Sequence, residues 1–147
     1  MSLNPRITVA AVIEQQNRFL MVEEPIAEQL LLNQPAGHLE DGESLLDAVV
    51  REVREETAWE FEPLALVGVY RWRQTQSDKT FIRFCFTGKL HQHHAEQALD
   101  ADIARTLWLN AQQVKEAGHR HRSPLVQQCI ADYLNKQRYP LEILKDI

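Results

Sequence analysis

The clearest periodic pattern in the chain lies between positions 46 and 57. Apolar residues recur there at the i, i+3, i+4 and i+7 spacing of one helical face. These residues are Leu46, Val49, Val50 and Val53, with Thr57 continuing the stripe. Ser44 can cap the first turn, and Asp47, three residues later, can serve as the acidic partner in a capping box. We therefore predict an amphipathic helix that begins near Ser44 and packs on a core.

Apolar and alternating runs on both sides of this helix predict strands. Residues 7–13 and 19–22 are separated by four polar residues and are typical of a hairpin whose first strand is central. Residues 30–32 predict a short third strand. Residues 64–73 and 80–86 alternate on either side of a polar turn. We therefore predict that they form an antiparallel hairpin.

The last third of the chain predicts one more strand and two helices. Residues 106–109 are apolar and suit a late strand, and Asn110 can cap a short helix that Gly118 ends. Apolar positions from 125 to 134 recur at i, i+4 spacing and predict a final helix. No repeat or linker interrupts the 147 residues. The chain therefore predicts a single domain, residues 1–147.

Composition narrows the class of protein. With 44% hydrophobic and 25% charged residues the chain is an ordinary globule, and its net charge of -5 disfavours a nucleic-acid-binding surface. No apolar run approaches the roughly 20 residues that span a bilayer, and the first ten residues lack a signal peptide's apolar region. We expect a cytoplasmic protein with no membrane partner. Cys85 and Cys129 have no metal-site spacing, so we expect buried thiols.

Three glutamates lie close together on the predicted helix. Glu52, Glu55 and Glu56 span roughly a 100° arc, and Glu56 borders the apolar stripe. Like charges at the edge of a core repel each other, and burial disfavours their ionised forms. A hard divalent cation such as Mg²⁺ removes this difficulty, because it prefers carboxylate oxygens. The alternative is a solvated acidic face paired with Arg51 and Arg54.

The residues around these glutamates match a known motif. Gly37 is separated from Glu43 by five residues, and Glu43 from Arg51 by seven. Glu52 follows at once, and Glu55 and Glu56 end the pattern. This spacing resembles the Nudix box of the Nudix hydrolase family, whose members cleave organic diphosphate linkages with Mg²⁺. The resemblance implies an α/β fold in which a mixed β-sheet lies between helices.

The same resemblance implies roles for the residues of the box. Glu52, Glu55 and Glu56 would bind metal ions, and Gly37 would lend its backbone carbonyl. The expected ion is Mg²⁺, with Mn²⁺ as the alternative. Glu52 and Glu55 are the predicted catalytic residues, and Glu55 is either a third ligand or the base that accepts a proton from the attacking water.

Further positions enter through this resemblance. Glu43 and Arg51 would be structural and orient the helix. Nudix enzymes often take another acidic ligand from a later loop, which makes Asp102, or its neighbour Asp100, a candidate metal ligand.

Basic and aromatic side chains on the second hairpin are candidates for substrate recognition. Arg83 lies in mid-strand, opposite the aromatic face, where a charge needs a partner or an anion. It either contacts a phosphate or is a solvated edge cation. Arg71 and Arg73 are rivals for phosphate, and Trp72 offers a ring for a base or fills the core. His38, in the loop before the helix, is a further candidate for contact with substrate.

The resemblance extends beyond the box to one branch of the family. Residues 33–40, 122–126 and 137–142 are similar to a branch that releases phosphate from nucleoside tri- and diphosphates and from hydroxymethylpyrimidine diphosphate. An ADP-ribose or dinucleotide pyrophosphatase is the alternative enzyme. A non-catalytic nucleotide-binding Nudix module is the alternative of another class. The expected partner is a small phosphorylated metabolite or nucleotide, bound by a monomer or homodimer.

Ala58 departs from the family pattern. Most relatives have glycine there, at a position where the helix ends in a left-handed conformation. Alanine should cost about 1 kcal/mol in that conformation, unless the helix continues through Trp59.

Overall fold

The computed structural model describes residues 3–147, which form eight strands and three α-helices. The strands are β1 (Arg6–Val12), β2 (Glu14–Gln15), β3 (Arg18–Ile26), β4 (Gln29–Asn33), β5 (Ala36–His38), β6 (Trp59–Gln74), β7 (Lys79–His93) and β8 (Arg105–Leu109). The helices are α1 (Leu45–Thr57), α2 (Ala111–Glu116) and α3 (Leu125–Leu134). Across residues 3–147, no helix combines the length and the apolar character needed to cross a lipid bilayer.

The larger sheet has the strand order β5-β1-β7-β6. Strands β1 and β7 are parallel, while β5 is antiparallel to β1 and β6 is antiparallel to β7, so the sheet is mixed. This confirms that the first strand is central. The predicted hairpin of residues 64–73 and 80–86 is also confirmed, although both strands extend beyond the predicted bounds.

The second sheet is built around β3, which pairs with β2, β4 and β8. The hairpin predicted between residues 7–13 and 19–22 is therefore wrong. Of the segment that precedes β3, the two residues of β2 are the ones that pair with it. Both edges of β1 are already occupied, by β5 and β7. The continuous burial of Val9, Ala10, Ala11 and Val12 fits a strand covered on both faces.

Helices cover both faces of the larger sheet. On one face, Val9 and Ala11 pack in a cluster with Val49 and Val53 of α1. On the other face, Ala10 and Val12 belong to a cluster with residues of α3. The predicted mixed sheet between helices is confirmed. Cys85 and Cys129 are both buried free thiols in the α3 cluster, as expected.

Helix α1 begins and ends where the sequence predicts, but its buried face differs. Ser44 caps it by accepting a hydrogen bond from the Asp47 backbone N–H at 3.0 Å. Val50, placed in the apolar stripe by its spacing, is 37% exposed. The buried positions are Ala48, Val49, Glu52, Val53, Glu56 and Thr57. The core side of α1 is thus rotated toward the glutamates, which brings two of them inside.

Ala58 ends α1 in the left-handed conformation. Its φ is 63° and ψ is 17°, and its N–H donates to the Arg54 carbonyl at 2.9 Å. The helix therefore does not continue through Trp59, and a residue with a Cβ occupies a position that favours glycine.

Ala58→Gly is expected to raise the free energy of unfolding, by up to about 1 kcal/mol, because glycine relieves the left-handed strain. The gain is limited because the buried Ala58 methyl is lost. Ala48→Gly is the matched control, since it removes a buried methyl from helical backbone and should lower stability by about 1 kcal/mol or more. Urea unfolding measures the free energy of unfolding of both variants. A loss of stability in Ala58→Gly would contradict the claim that Ala58 is strained.

Candidate active site

Two buried carboxylates meet the backbone of β5 at the centre of the site. Glu52 is 8% exposed and Glu56 is 5% exposed, both on the core side of α1. One carboxylate oxygen of Glu56 accepts a hydrogen bond from the Ala36 N–H at 2.9 Å. A Cβ atom built on Gly37 would lie 2.1 Å from Cδ of Glu52. A side chain at position 37 would therefore displace the Glu52 carboxyl group from its present place against the β5 backbone.

The electrostatics of these two carboxylates are unfavourable. Burial raises the pKa of Glu56 to about 9, and the charges of Glu52, Glu24 and Asp100 add to that effect. Burial also raises the pKa of Glu52 to about 6, although Arg51 partly offsets it. The N–H of Ala36 lowers the pKa of Glu56 only in part. A divalent cation is the kind of ligand that would stabilise both ionised forms.

Arg51 ties the loop before α1 to the helix. Its Nε and Nη2 donate to the two carboxylate oxygens of Glu43 at 3.0 and 2.7 Å. Nη2 also donates to the His38 carbonyl at 3.1 Å. The hydrogen bond to Arg51 lowers the pKa of Glu43, and that bond also raises the pKa of Arg51. These contacts join the loop to α1, and the structural roles of Arg51 and Glu43 stay predictions.

The same arginine lies between two of the candidate metal ligands. Nη1 of Arg51 donates to Glu52 at 2.7 Å and to Glu55 at 3.3 Å. The Glu55 side chain is 44% exposed, which makes it the most solvent-accessible of the three glutamates. Within residues 3–147, no three His, Cys, Asp or Glu side chains are grouped tightly enough to hold a metal ion as they stand. Arg51 supplies the positive charge beside Glu52 and Glu55.

Of the two acidic loop residues, Asp100 is the one whose charge acts on the site. Its N–H donates to the Glu55 carbonyl at 2.8 Å. Its carboxylate raises the pKa of both Glu52 and Glu56. Asp102 is exposed, and its N–H donates to the Asp100 carboxylate at 3.5 Å. Asp102 therefore stays a prediction, and Asp100 is the better-supported alternative.

A cleft of about 480 Å³ lies between the end of the β6–β7 hairpin and residues 118–124. Trp72 and Arg73, both predicted from sequence to recognise substrate, line it. The Trp72 ring stacks on Phe81 of β7, with ring centres 5.4 Å apart. Arg71 is exposed and is absent from the lining of this cleft. The structure thus brings Trp72 and Arg73 together but not Arg71.

One wall of this cleft is formed by Gly118 and residues 121–124, and a buried carboxylate anchors this segment through Arg120. Arg105 and Arg120 both hydrogen-bond to Glu23, and Arg120 does so at 2.6 Å. The bond from Arg105 is the main cause of the lowered pKa of Glu23. Arg122 pairs with Glu24 at 2.9 Å. The anchoring of Arg120 therefore fixes the segment that carries Arg122.

His38 is exposed at the end of β5, within reach of several positive charges. Loss of hydration lowers its pKa, and the charges of Arg6, Arg122 and Lys79 lower it further. Arg6 and Lys79 were not predicted as site residues. They are distant in sequence and belong to no motif, so only the strand pairing brings their charges together.

Arg83 is buried, so its interpretation as a solvated edge cation is wrong. It is 5% exposed, and Nη1 donates to the Gln34 side-chain oxygen at 3.0 Å while Nη2 donates to that of Asn33 at 3.3 Å. Both partners lie about 50 positions earlier in the chain, which is why the sequence pattern of β7 did not reveal them. Direct contact with a phosphate would require these amides to move.

The comparison with protein families assigns this site. A model of the NUDIX domain matches residues 4–129. The chain belongs to the Nudix family. This Nudix chain is 42% identical over 143 residues to "Phosphatase NudJ" from Escherichia coli (strain K12), an alignment that covers 97% of this chain and 92% of that protein.

Solved structures agree with the Nudix assignment. A NUDIX hydrolase from Nitrosomonas europaea has a TM-score of 0.96 and 45% identity, over 98% of both chains. A MutT NUDIX hydrolase from Burkholderia pseudomallei, at 17% identity, shares the fold alone, with a TM-score of 0.74 over 88% of this chain and 98% of that one.

The predicted family, fold and enzyme class are confirmed by these similarities. This Nudix protein is a hydrolase that acts on diphosphate bonds of small phosphorylated substrates, and its family generally uses divalent metal ions. The roles of its individual site residues stay predictions.

Without metal, Glu56 should destabilise this Nudix fold as the pH rises. Its folded-state pKa of about 9 exceeds its ordinary value of 4.5, so its stabilising contribution is complete below pH 4.5 and is lost as the pH rises toward 9. At pH 7, Glu56→Gln should therefore unfold at higher denaturant, with a gain on the order of 3 kcal/mol. At pH 4.5 the two proteins should unfold alike.

Denaturant unfolding in the presence of a chelator measures this difference. Glu142→Gln removes an exposed carboxylate and is the matched control, for which no pH-dependent gain is expected. Equal stability of wild type and Glu56→Gln at both pH values would contradict the buried, uncompensated state of Glu56.

Proposed function

We propose that this protein is a Mg²⁺-dependent phosphatase that removes orthophosphate from nucleoside tri- and diphosphates or from hydroxymethylpyrimidine diphosphate. The observation that carries the proposal is the pair of buried carboxylates, Glu52 and Glu56, which face the β5 backbone and whose pKa values burial raises to about 6 and about 9. The similarity to "Phosphatase NudJ" over 97% of the chain supports this substrate class. The net charge of -5 supports a small substrate in preference to nucleic acid.

The residues at the site fit a hard divalent cation. Glu52, Glu55 and Glu56 offer carboxylate oxygens, and Gly37 offers a backbone carbonyl beside Glu52. An all-oxygen donor set suits Mg²⁺, with Mn²⁺ as the alternative. When bound, the ion supplies charge neutralisation of the phosphate oxygens and lowers the pKa of a water molecule.

The protein side chains then carry out the proton transfer. We assign Glu55, the most exposed of the three glutamates, as the base that accepts a proton from the water attacking the terminal phosphorus. The bond from phosphorus to the bridging oxygen breaks, and orthophosphate and a product shorter by one phosphate are released. Arg51, bonded to both Glu52 and Glu55, orients these two catalytic carboxylates.

We assign the 480 Å³ cleft to the organic part of the substrate. The Trp72 ring offers a flat surface to a pyrimidine or purine, and Arg73 and Arg122 offer positive charge at the same cleft. His38 does not line this cleft, and its contact with substrate stays a prediction. Arg71 is left outside this subsite. We further propose that the protein acts in the cytoplasm, as a monomer or homodimer.

A panel of substrates with product analysis tests this function. Nucleoside tri- and diphosphates and hydroxymethylpyrimidine diphosphate should release orthophosphate when Mg²⁺ is present. Glu56→Gln should keep less than about a tenth of the wild-type turnover, because the amide cannot replace a charged ligand of a hard cation. Release of nucleoside monophosphate from ADP-ribose or dinucleotides, without orthophosphate, would favour the pyrophosphatase alternative instead.

Trp72→Ala should raise KM for the preferred nucleotide by about tenfold, which is the scale of one lost stacking contact. Mg²⁺ affinity should be unchanged, because Trp72 lies away from the glutamates. Val69→Ala is the matched control, since it truncates an exposed side chain on the same strand outside the cleft. An unaltered KM in folded Trp72→Ala would remove the cleft from the substrate-binding site.

A further inference from the structure

A buried network lies behind the loop that leads into β5. Arg83 is bonded there to the side chains of Asn33 and Gln34 and also contacts Sγ of Cys129, at 3.9 Å. Arg83 reaches from β7 and donates to both amide oxygens, at 3.0 Å for Gln34 and 3.3 Å for Asn33. All of these residues are buried, and Gln34 is completely so. The network joins β7, an inner strand of the larger sheet, to Asn33 and Gln34. These two residues come just before the β5 backbone that faces Glu52 and Glu56.

The charge of Arg83 has no anionic partner in this network. Among residues 3–147, no carboxylate lies within 4 Å of its guanidinium, and its buried Nε has no hydrogen-bond partner. Burying a charge without a counter-charge is costly, and an apolar side chain of similar size is often neutral or stabilising at such a position. Arg83 is therefore poorly explained by stability alone.

Each amide that Arg83 holds is also fixed at its other end. The Gln34 side-chain nitrogen donates to the Val126 carbonyl at 2.8 Å, which links the loop to the first turn of α3. The Asn33 nitrogen donates to Glu24 at 3.2 Å, and Glu24 in turn accepts from Arg122 at 2.9 Å. Each amide is thus held between Arg83 and a second element, which is α3 for Gln34 and β3 for Asn33.

The backbone that follows the clamped residues makes the contacts of the active site. The Ala11 N–H donates to the Pro35 carbonyl at 3.0 Å, and the Ala36 N–H donates to Glu56 at 2.9 Å. Gly37 then lies against the carboxyl group of Glu52. Only a short piece of chain separates Gln34 from these contacts, so a shift of Gln34 displaces the groups facing Glu52 and Glu56.

We propose that Arg83 is a positioning residue for the hydrolysis. Through Asn33 and Gln34 it fixes residues 35–37, and so holds the Ala36 N–H on Glu56 and the Gly37 backbone against Glu52. The inference rests on the proposed function in one respect, namely that Glu52 and Glu56 bind the metal ion. Arg83 acts through other residues and does not touch the substrate.

Mg²⁺ binding to the full-length protein, measured by calorimetry without substrate, tests the inference. Arg83→Met keeps an unbranched apolar stem but removes the guanidinium donors, and it should raise the Mg²⁺ dissociation constant by about tenfold, the scale for loss of a group that supports metal ligands. At saturating Mg²⁺, KM should stay within about threefold of wild type, because substrate contacts are retained. A tenfold rise in KM with unchanged Mg²⁺ affinity would show direct phosphate contact and overturn the proposal.

Gln34→Met is the second variant and remains informative if Arg83→Met does not fold. It breaks the same link and should weaken Mg²⁺ binding similarly. Combined with Arg83→Met, it should be no worse than the stronger single variant, because both remove one connection. Effects that multiply in the double variant would mean that the residues act independently, which would also overturn the proposal.

Val67→Ala is the matched control. It leaves a cavity in the buried cluster that includes the α3 residues, and Val67 makes no hydrogen bond with the network. It should lower stability and leave Mg²⁺ affinity unchanged; a tenfold loss of affinity here would show general loosening and overturn the proposal. If wild type binds Mg²⁺ but hydrolyses no substrate, the proposed function fails. The calorimetric comparison of Mg²⁺ binding by wild type and Arg83→Met still tests the positioning role of Arg83. If hydrolysis is Mg²⁺-dependent but Arg83→Met binds Mg²⁺ like wild type, the inference alone fails.

Discussion

The close contact between the Gly37 backbone and the Glu52 carboxyl group joins the three elements on which the candidate site depends, α1, β5 and β1. The glutamate side of α1 faces the sheet, which buries Glu56 and leaves Val50 partly in solvent. Strand β5 lies beside β1, where Gly37 pairs with Val9. Arg51 and Glu43 then close the loop between β5 and α1 with three hydrogen bonds from one guanidinium.

Elements whose information is local in sequence could be predicted with good accuracy. The Ser44 cap, the left-handed Ala58 and the β6–β7 hairpin each depend on a few neighbouring residues and on intrinsic backbone preferences. The box glutamates could also be found, because their spacing within one helix keeps them together whatever the rest of the chain does. Helix periodicity did not show which side of α1 is buried, since the stabilisation of Glu52 and Glu56 depends on residues outside the helix.

The failures have one physical origin, which is pairing between distant segments. The hairpin expected for the first two strands does not form because β1 takes β7, contributed from late in the chain, as its parallel partner. Arg83 looked like an edge cation because its amide partners lie on another segment and left no trace in the pattern of β7. The positive charges near His38 come from three separate elements, so neither charge runs nor motifs revealed them.

The parallel pairing of β1 with β7 also has a consequence for how the chain folds. The Thr8 hydroxyl donates to the Ile82 carbonyl 74 positions later, in the same ladder that supports β5. Contacts of such separation carry a large loop-closure entropy and form slowly compared with local hairpins and helices. Helix α1 precedes β7 in the chain, so during synthesis its acidic side emerges before the larger sheet can close against it. We therefore expect the candidate site to assemble late in folding, together with the pairing of β1 and β7.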